Sequence, residues 1–230
     1  MRDNNVSNTS KFSSVPKKQT YTIGLIIVLA SEFISRDFLL PDNPSDIHIG
    51  IAIVAEWLIL LLLLFFWIPK VERNNWRSIG FGNFKWRHLW IGILTYFILL
   101  IAWMGTYFAL TAVGLEGLRS LQPMIKEYSP LILLSLFLTG TFLEEIFYRG
   151  YLIERLTLLT GKSWLAGITS WITFTFVHLK FFGLGPTLDV SVLSAGLVIL
   201  YLKERSVWPC IVVHGINDAL SFLITSLFIT

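Results

Sequence analysis

Beyond its first twenty residues the chain is a series of long apolar runs separated by short polar stretches. The runs occupy 21–39, 49–68, 88–112, 130–152, 164–180, 187–202 and 208–229. Most lack the polar stripe at helical period that a helix of a soluble domain carries. Their lengths suit the roughly 20 mostly apolar residues that cross a bilayer as a helix. The pattern predicts an all-α, polytopic transmembrane helical bundle of about seven spans (six to eight). The second and third runs are the clearest. Glu32, Arg36 and Asp37 mark an interfacial end of the first, and the short fifth and sixth are expected to be tilted or shielded by neighbours.

Residues 1–20 are polar, rich in Ser and Asn, and carry Arg2, Lys11, Lys17 and Lys18. They are expected to form a disordered basic tail. A cleaved signal peptide does not fit, because a long polar stretch precedes the first apolar run. The organisation expected is a tail over 1–20, N-terminal transmembrane helices with an amphipathic connection over 21–124, and a core over 125–230.

Composition supports the bilayer. Charged residues are 14% of the chain, against roughly 25% in soluble domains, and 54% are hydrophobic. The mean hydropathy is +0.68. The net charge of +3 matters less than its distribution. Cations collect in the tail, in the 69–87 connection (Lys70, Arg73, Arg77, Lys85, Arg87), and after the fourth and sixth spans. The 40–48 loop holds none. That alternation predicts a cytoplasmic N-terminus. Trp67, Trp76, Trp86, Trp90, Trp164 and Trp208 fall at span ends, as an interfacial belt does. No dense basic patch supports nucleic-acid binding, and the lone Cys210 provides neither an intrachain disulfide nor a cysteine zinc site.

Ionisable groups inside spans cost roughly 2.5–3.5 kcal/mol each on the insertion scale and need a reason. Glu56 stands alone in the second span and is read as a structural acid. The fourth span reads Gly140-Thr141-Phe142-Leu143-Glu144-Glu145-Ile146-Phe147-Tyr148-Arg149-Gly150. Glu145 and Arg149, four apart, share a helix face and can pair. Glu144 points about 100° away and is left to face the bundle interior. The plain alternative is an interfacial cluster whose arginine snorkels. His178 lies in the fifth span. In the seventh, His214, Asn217 and Asp218 fall near one face, and Gly215 admits close approach of another backbone or a substrate. A carboxylate and two imidazoles around one wet cavity between the C-terminal helices form a hydrolytic set: a base for water and donors for an oxyanion.

Glu-Glu-x-x-x-Arg at 144–149, Phe-x-x-x-His at 174–178 and His-x-x-x-Asp at 214–218 resemble the signature motifs of the CPBP family. That family includes the type II CAAX prenyl endopeptidases and bacterial relatives linked to bacteriocin processing and self-immunity. The resemblance covers about 125–225, and Trp76 to Phe81 with Trp86 looks like the amphipathic connection before the family's core. It implies an intramembrane endopeptidase. Glu144 would be the general base with His178, Glu145 and Arg149 would orient the site, and His214 with residue 218 would stabilise the oxyanion. Position 218 is Asp where many prenyl proteases have Asn, and an ionised carboxylate donates no hydrogen bond. Either Asp218 is protonated, or it orients His214, or Asn217 contributes.

The implied partners are membrane lipid and a membrane-associated or lipidated protein or peptide. A glutamate working as base without a metal needs only these residues. A Glu/His/His set is also a legitimate three-ligand site for a divalent metal such as zinc, although the His-Glu-x-x-His motif is absent. The metal-free mechanism is favoured. Two rivals carry other expectations: a non-catalytic immunity or scaffold protein of the same fold, and a proton-coupled transporter using Glu56, Glu144 and the histidines. The latter should show internal repeat symmetry, and none is evident.

Overall fold

In a computed structural model the described residues are 18–37, 40–41, 44–115 and 128–228. Within these, the side chains of 35–37, 180–181 and 222–228 are not described. The expected tail up to residue 17, the side chains of Arg36 and Asp37, and the 116–127 connection therefore lie outside the description. The described chain is all-helical, with seven long helices corresponding one for one to the seven apolar runs. They are α1 (Lys18–Asp37), α2 (Asp46–Val71), α3 (Trp86–Ala112), α4 (Pro130–Thr160), α5 (Ser163–Phe182), α6 (Leu184–Glu204) and α7 (Val207–Phe228). A single 3₁₀ turn, Trp76–Ile79, sits in the connection between α2 and α3. Helices α2, α3, α4 and α6 are long and apolar enough to cross a membrane.

Local chemistry sets the ends of α4. Ser129 caps its start by accepting a hydrogen bond from the Ile132 amide, and Pro130 follows where its missing N–H costs nothing. Gly161, left-handed at φ +72°, ends it. Helices α5 and α6 are joined through Gly183 alone, at φ 72° and ψ −177°, a conformation open essentially to glycine. This sharp turn lays the two helices side by side in the most extensive helix pairing among the described residues.

Helix α4 is the centre of the bundle. Between Thr139 and Leu152 every residue but Phe142 is buried. One hydrophobic cluster joins it to α1, α2 and α5 through Leu25, Leu60, Ile68, Phe147 and Phe174. A second joins its C-terminal part to α3, α6 and α7 through Tyr96, Leu197, Tyr201 and Cys210.

Three features differ from the sequence expectations. The fourth helix runs eight residues past the expected end of its apolar run at 152, to Thr160. Arg155, expected in a loop, is fully buried there and bonded to Glu72. Glu32 is no interfacial marker: it is fully buried and accepts from Tyr148 Oη at 3.2 Å. Finally, α2 and α4 each contain a π-helical stretch, Leu63–Val71 and Thr139–Leu152.

Candidate active site

The π-helical stretch of α4 contains the whole Glu-Glu-x-x-x-Arg motif. Such wide turns are rare and tend to mark functional segments. The wider winding still leaves residues four apart in reach of each other, and Arg149 Nη1 donates to Glu145 Oε1 at 3.0 Å. Both side chains are completely buried, which rules out a snorkelling arginine at the membrane surface. The remaining contacts of Arg149 explain how a guanidinium is tolerated there. Its Nη2 donates to Ser194 Oγ of α6 at 2.9 Å, and its carbon lies 4.2 Å from the centre of the Phe174 ring.

Glu145 also reaches the seventh helix. The same Oε1 accepts from His214 Nδ1 at 2.8 Å, joining residues 69 apart in sequence. With Nδ1 donating, His214 presents Nε2 on its other side, 3.6 Å from Asp218 Oδ2. That separation is too long for a hydrogen bond. Asp218 Oδ1 instead accepts from Asn217 Nδ2 at 3.1 Å. Glycines make the α4–α7 approach possible. A Cβ on Gly140 would lie 2.8 Å from Asp218 Oδ2. One on Gly215 would lie 3.1 Å from Thr141, so the close neighbour anticipated at Gly215 is the α4 side chain.

From α5, His178 Nδ1 lies 2.7 Å from the Phe174 carbonyl oxygen. A carbonyl only accepts, so Nδ1 carries a proton, and in the neutral imidazole the lone pair is then on Nε2. The Phe174 ring packs against His178 at 4.5 Å, Tyr148 at 5.0 Å and His214 at 6.4 Å between centroids. Ser170 Oγ donates to the Tyr148 carbonyl at 2.8 Å and fixes α5 against α4. Glu144 is buried in the same π-helical stretch, next to Glu145.

Ser194, Phe174 and Gly140 were not singled out in the sequence as parts of this arrangement. Only Phe174 had a local signal, as the first residue of Phe-x-x-x-His. Glu56, at a distance, lines a small cavity of about 220 Å³ between α1 and α2 with Ser31 and Ile27. Among the described residues, no three or more His, Cys, Asp or Glu are gathered as a metal site. Glu144, His178 and His214 are not gathered there as the three-ligand set that their donor types admit.

An all-helical membrane bundle with a buried Glu–Arg–His cluster between its C-terminal helices is the architecture at hand. Residues 126–220 match the family described as Rce1-like, type II CAAX prenyl endopeptidase Rce1-like. The matched segment runs from the start of α4 into α7, so it includes every residue of the cluster, and the resemblance carried by the three motifs holds over it. No curated protein and no solved structure matches the chain.

Proposed function

We propose that the protein is an intramembrane endopeptidase that cleaves a membrane-associated, in some cases lipidated, protein or peptide. The observation that carries this reading is the bond from His214 to Glu145, which brings the first and last motifs together in the bundle interior. In this reading residues 125–230 are the catalytic core, 21–124 supply supporting helices, and the N-terminus is cytoplasmic.

Glu144 acts as the base, with His178 Nε2 accepting a hydrogen bond from the same water. The water oxygen bonds to the substrate carbonyl carbon while one of its protons passes to the Glu144 carboxylate. The carbonyl π electrons move to oxygen, and the resulting oxyanion faces His214. An imidazolium at His214 donates from Nδ1 to Glu145 and from Nε2 to the oxyanion. Collapse of the tetrahedral intermediate breaks the C–N bond, and the Glu144 proton goes to the leaving nitrogen. Arg149 and Ser194 hold Glu145, and through it the imidazole. The mechanism uses only this chain's side chains.

The test is cleavage of a panel of membrane proteins and lipidated peptides by the purified chain, with and without a chelator. Glu144→Gln is expected to lower turnover by a factor of about 10²–10⁴, the usual share of a general base. Equal turnover by wild type and variant removes Glu144 as base. Loss of wild-type turnover with a chelator replaces the metal-free mechanism. No cleavage of any substrate favours the non-catalytic immunity or scaffold reading.

A further inference from the structure

A groove of about 750 Å³ that shares no lining residue with the polar cluster lies between the C-terminal end of α2, the connection that follows it, and the first turn of α7. Its walls are aromatic and fixed. Trp76 Nε1 donates to the Leu64 carbonyl at 2.7 Å, and Trp208 Nε1 to the Gly82 carbonyl at 2.6 Å. Phe81 stacks on Trp208 at 5.0 Å, and Phe65 meets Trp76 edge-on at 5.3 Å. Both indole N–H groups are therefore spent on the protein, and the aromatic rings leave the groove with an apolar lining. Its polar lining is cationic and amide: Arg77, Asn74, Asn75 and Asn83.

The surroundings split into two zones. On the apolar side, Phe65 and Phe66 of α2 are 59% and 55% exposed, as side chains facing hydrocarbon are. On the polar side, the 69–87 connection has five cations and a single acid, Glu72. That acid is fully buried and neutralised by Arg155, so it does not offset the cations at the surface. Arg87 is paired with Glu204 of α6, and Arg77 is the cation that lines the groove itself. The rim is positive at headgroup depth and the trough beneath it is apolar.

We propose that this groove is a binding site for one anionic glycerophospholipid, its phosphate at Arg77 and the asparagine amides and an acyl chain along Phe65. Positive charge over an aromatic trough complements that amphiphile. An extended peptide fits less well, because it needs backbone hydrogen-bond partners from its site, and the indole donors here are already used. The site has a structural consequence. Gly80 O accepts from the Val207 amide at 3.1 Å and Trp208 opens α7, so the occupant would brace the start of the helix that carries His214. The inference does not depend on the hydrolytic reading.

Native mass spectrometry of the full chain, released from micelles containing equal phosphatidylglycerol and phosphatidylcholine, tests it. One retained phosphatidylglycerol is expected in preference to phosphatidylcholine. Arg77→Gln should weaken that retention by at least about fivefold, the worth of one cation near an anionic headgroup. Lys162→Gln, removing an exposed cation at the same end of the bundle, should leave it unchanged. If Arg77→Gln fails size-exclusion as a folded species, Asn83→Leu takes its place with the same expectation. Equal retention of the two lipids overturns the site, as does an equal loss from Lys162→Gln, which would mean diffuse surface charge. Arg77-dependent binding of an acidic peptide without lipid retention would reassign the groove to a peptide.

Discussion

Glu145 and Glu144 are adjacent and chemically identical, yet their surroundings assign them different work. Glu145 is completely buried and accepts from both Arg149 and His214 on one oxygen. Removing its carboxylate strands a buried guanidinium, a change that typically costs about 3–5 kcal/mol. Glu145→Ala is therefore expected to lower the thermal unfolding midpoint in detergent sharply, whereas Glu144→Gln should lower turnover about 10²–10⁴-fold with little loss of stability. Comparable destabilisation by both variants would mean that the two acids share one structural role. Ser194 tests the same chain of contacts from its far end. Ser194→Ala removes the acceptor for Arg149 Nη2, a charged hydrogen bond worth about 1.5–3 kcal/mol. It should reduce kcat about tenfold with KM nearly unchanged, because the effect reaches the substrate only through Glu145 and His214. A change confined to KM would place Ser194 in substrate binding instead. Asp218→Asn supplies an N–H donor in place of a carboxylate that now accepts from Asn217, and should keep turnover within about tenfold. A loss of about a hundredfold, the weight of one oxyanion donor, would show that the negative charge beside His214 is what matters.

At the level of the helix, the apolar runs were a reliable guide to number and order, since a bilayer-spanning segment declares itself by hydropathy. The 88–112 run became Trp86–Ala112, and 49–68 became Asp46–Val71. Hydropathy failed where a helix continues past its apolar stretch by burying a charge against a partner, as at Arg155. The Glu145–Arg149 pair was legible because both residues lie on one helix and spacing alone brings them together. The Glu145–His214 bond was not, because it depends on how α4 docks on α7, and nothing local to either helix encodes that distance. The glycines that permit the docking are visible only with the neighbour in place. Gly140→Ala sets a methyl 2.8 Å from a flexible carboxylate oxygen, so Asp218 can give way. The expected outcome is a folded protein with impaired turnover, measured by unfolding and cleavage in parallel. Gly150→Ala sets the methyl 2.7 Å from the Ile79 carbonyl oxygen, which belongs to backbone and cannot rotate aside. It should instead reduce the yield of folded protein, and normal yield and stability would show that the connection adjusts freely.

Across the molecule, the cluster between α4, α5, α6 and α7 is held in a frame that includes the N-terminal helices. The first hydrophobic cluster spans α1, α2, α4 and α5, so the N-terminal helices pack directly on the helices that carry the polar cluster. A second buried polar node ties that frame together below the connection. Arg155 Nε donates to Glu72 Oε2 at 2.9 Å, and Tyr151 Oη to Glu72 Oε1 at 2.6 Å. Arg155 also donates to the Ser78 carbonyl and hydroxyl oxygens, at 3.0 and 2.9 Å. The Tyr21 and Tyr151 rings lie 5.3 and 5.1 Å from its guanidinium carbon. One guanidinium thus links α1, the end of α2, the 3₁₀ turn and α4, and it does so with no exposed surface. Two charges buried together stabilise each other only while both are present. Arg155→Met alone leaves the Glu72 carboxylate buried with no countercharge and should cost about 3–5 kcal/mol, read as a lower unfolding midpoint of the purified chain. The double variant Glu72→Leu/Arg155→Met removes both charges and should recover a large part of that loss, because apolar replacement of a buried pair is often close to neutral. The comparison isolates the charge from the packing: a double variant as unstable as the single one would mean that Arg155 acts through its hydrogen bonds to Ser78. In that case the connection, rather than the ion pair, is what fastens α4 to the rest of the bundle.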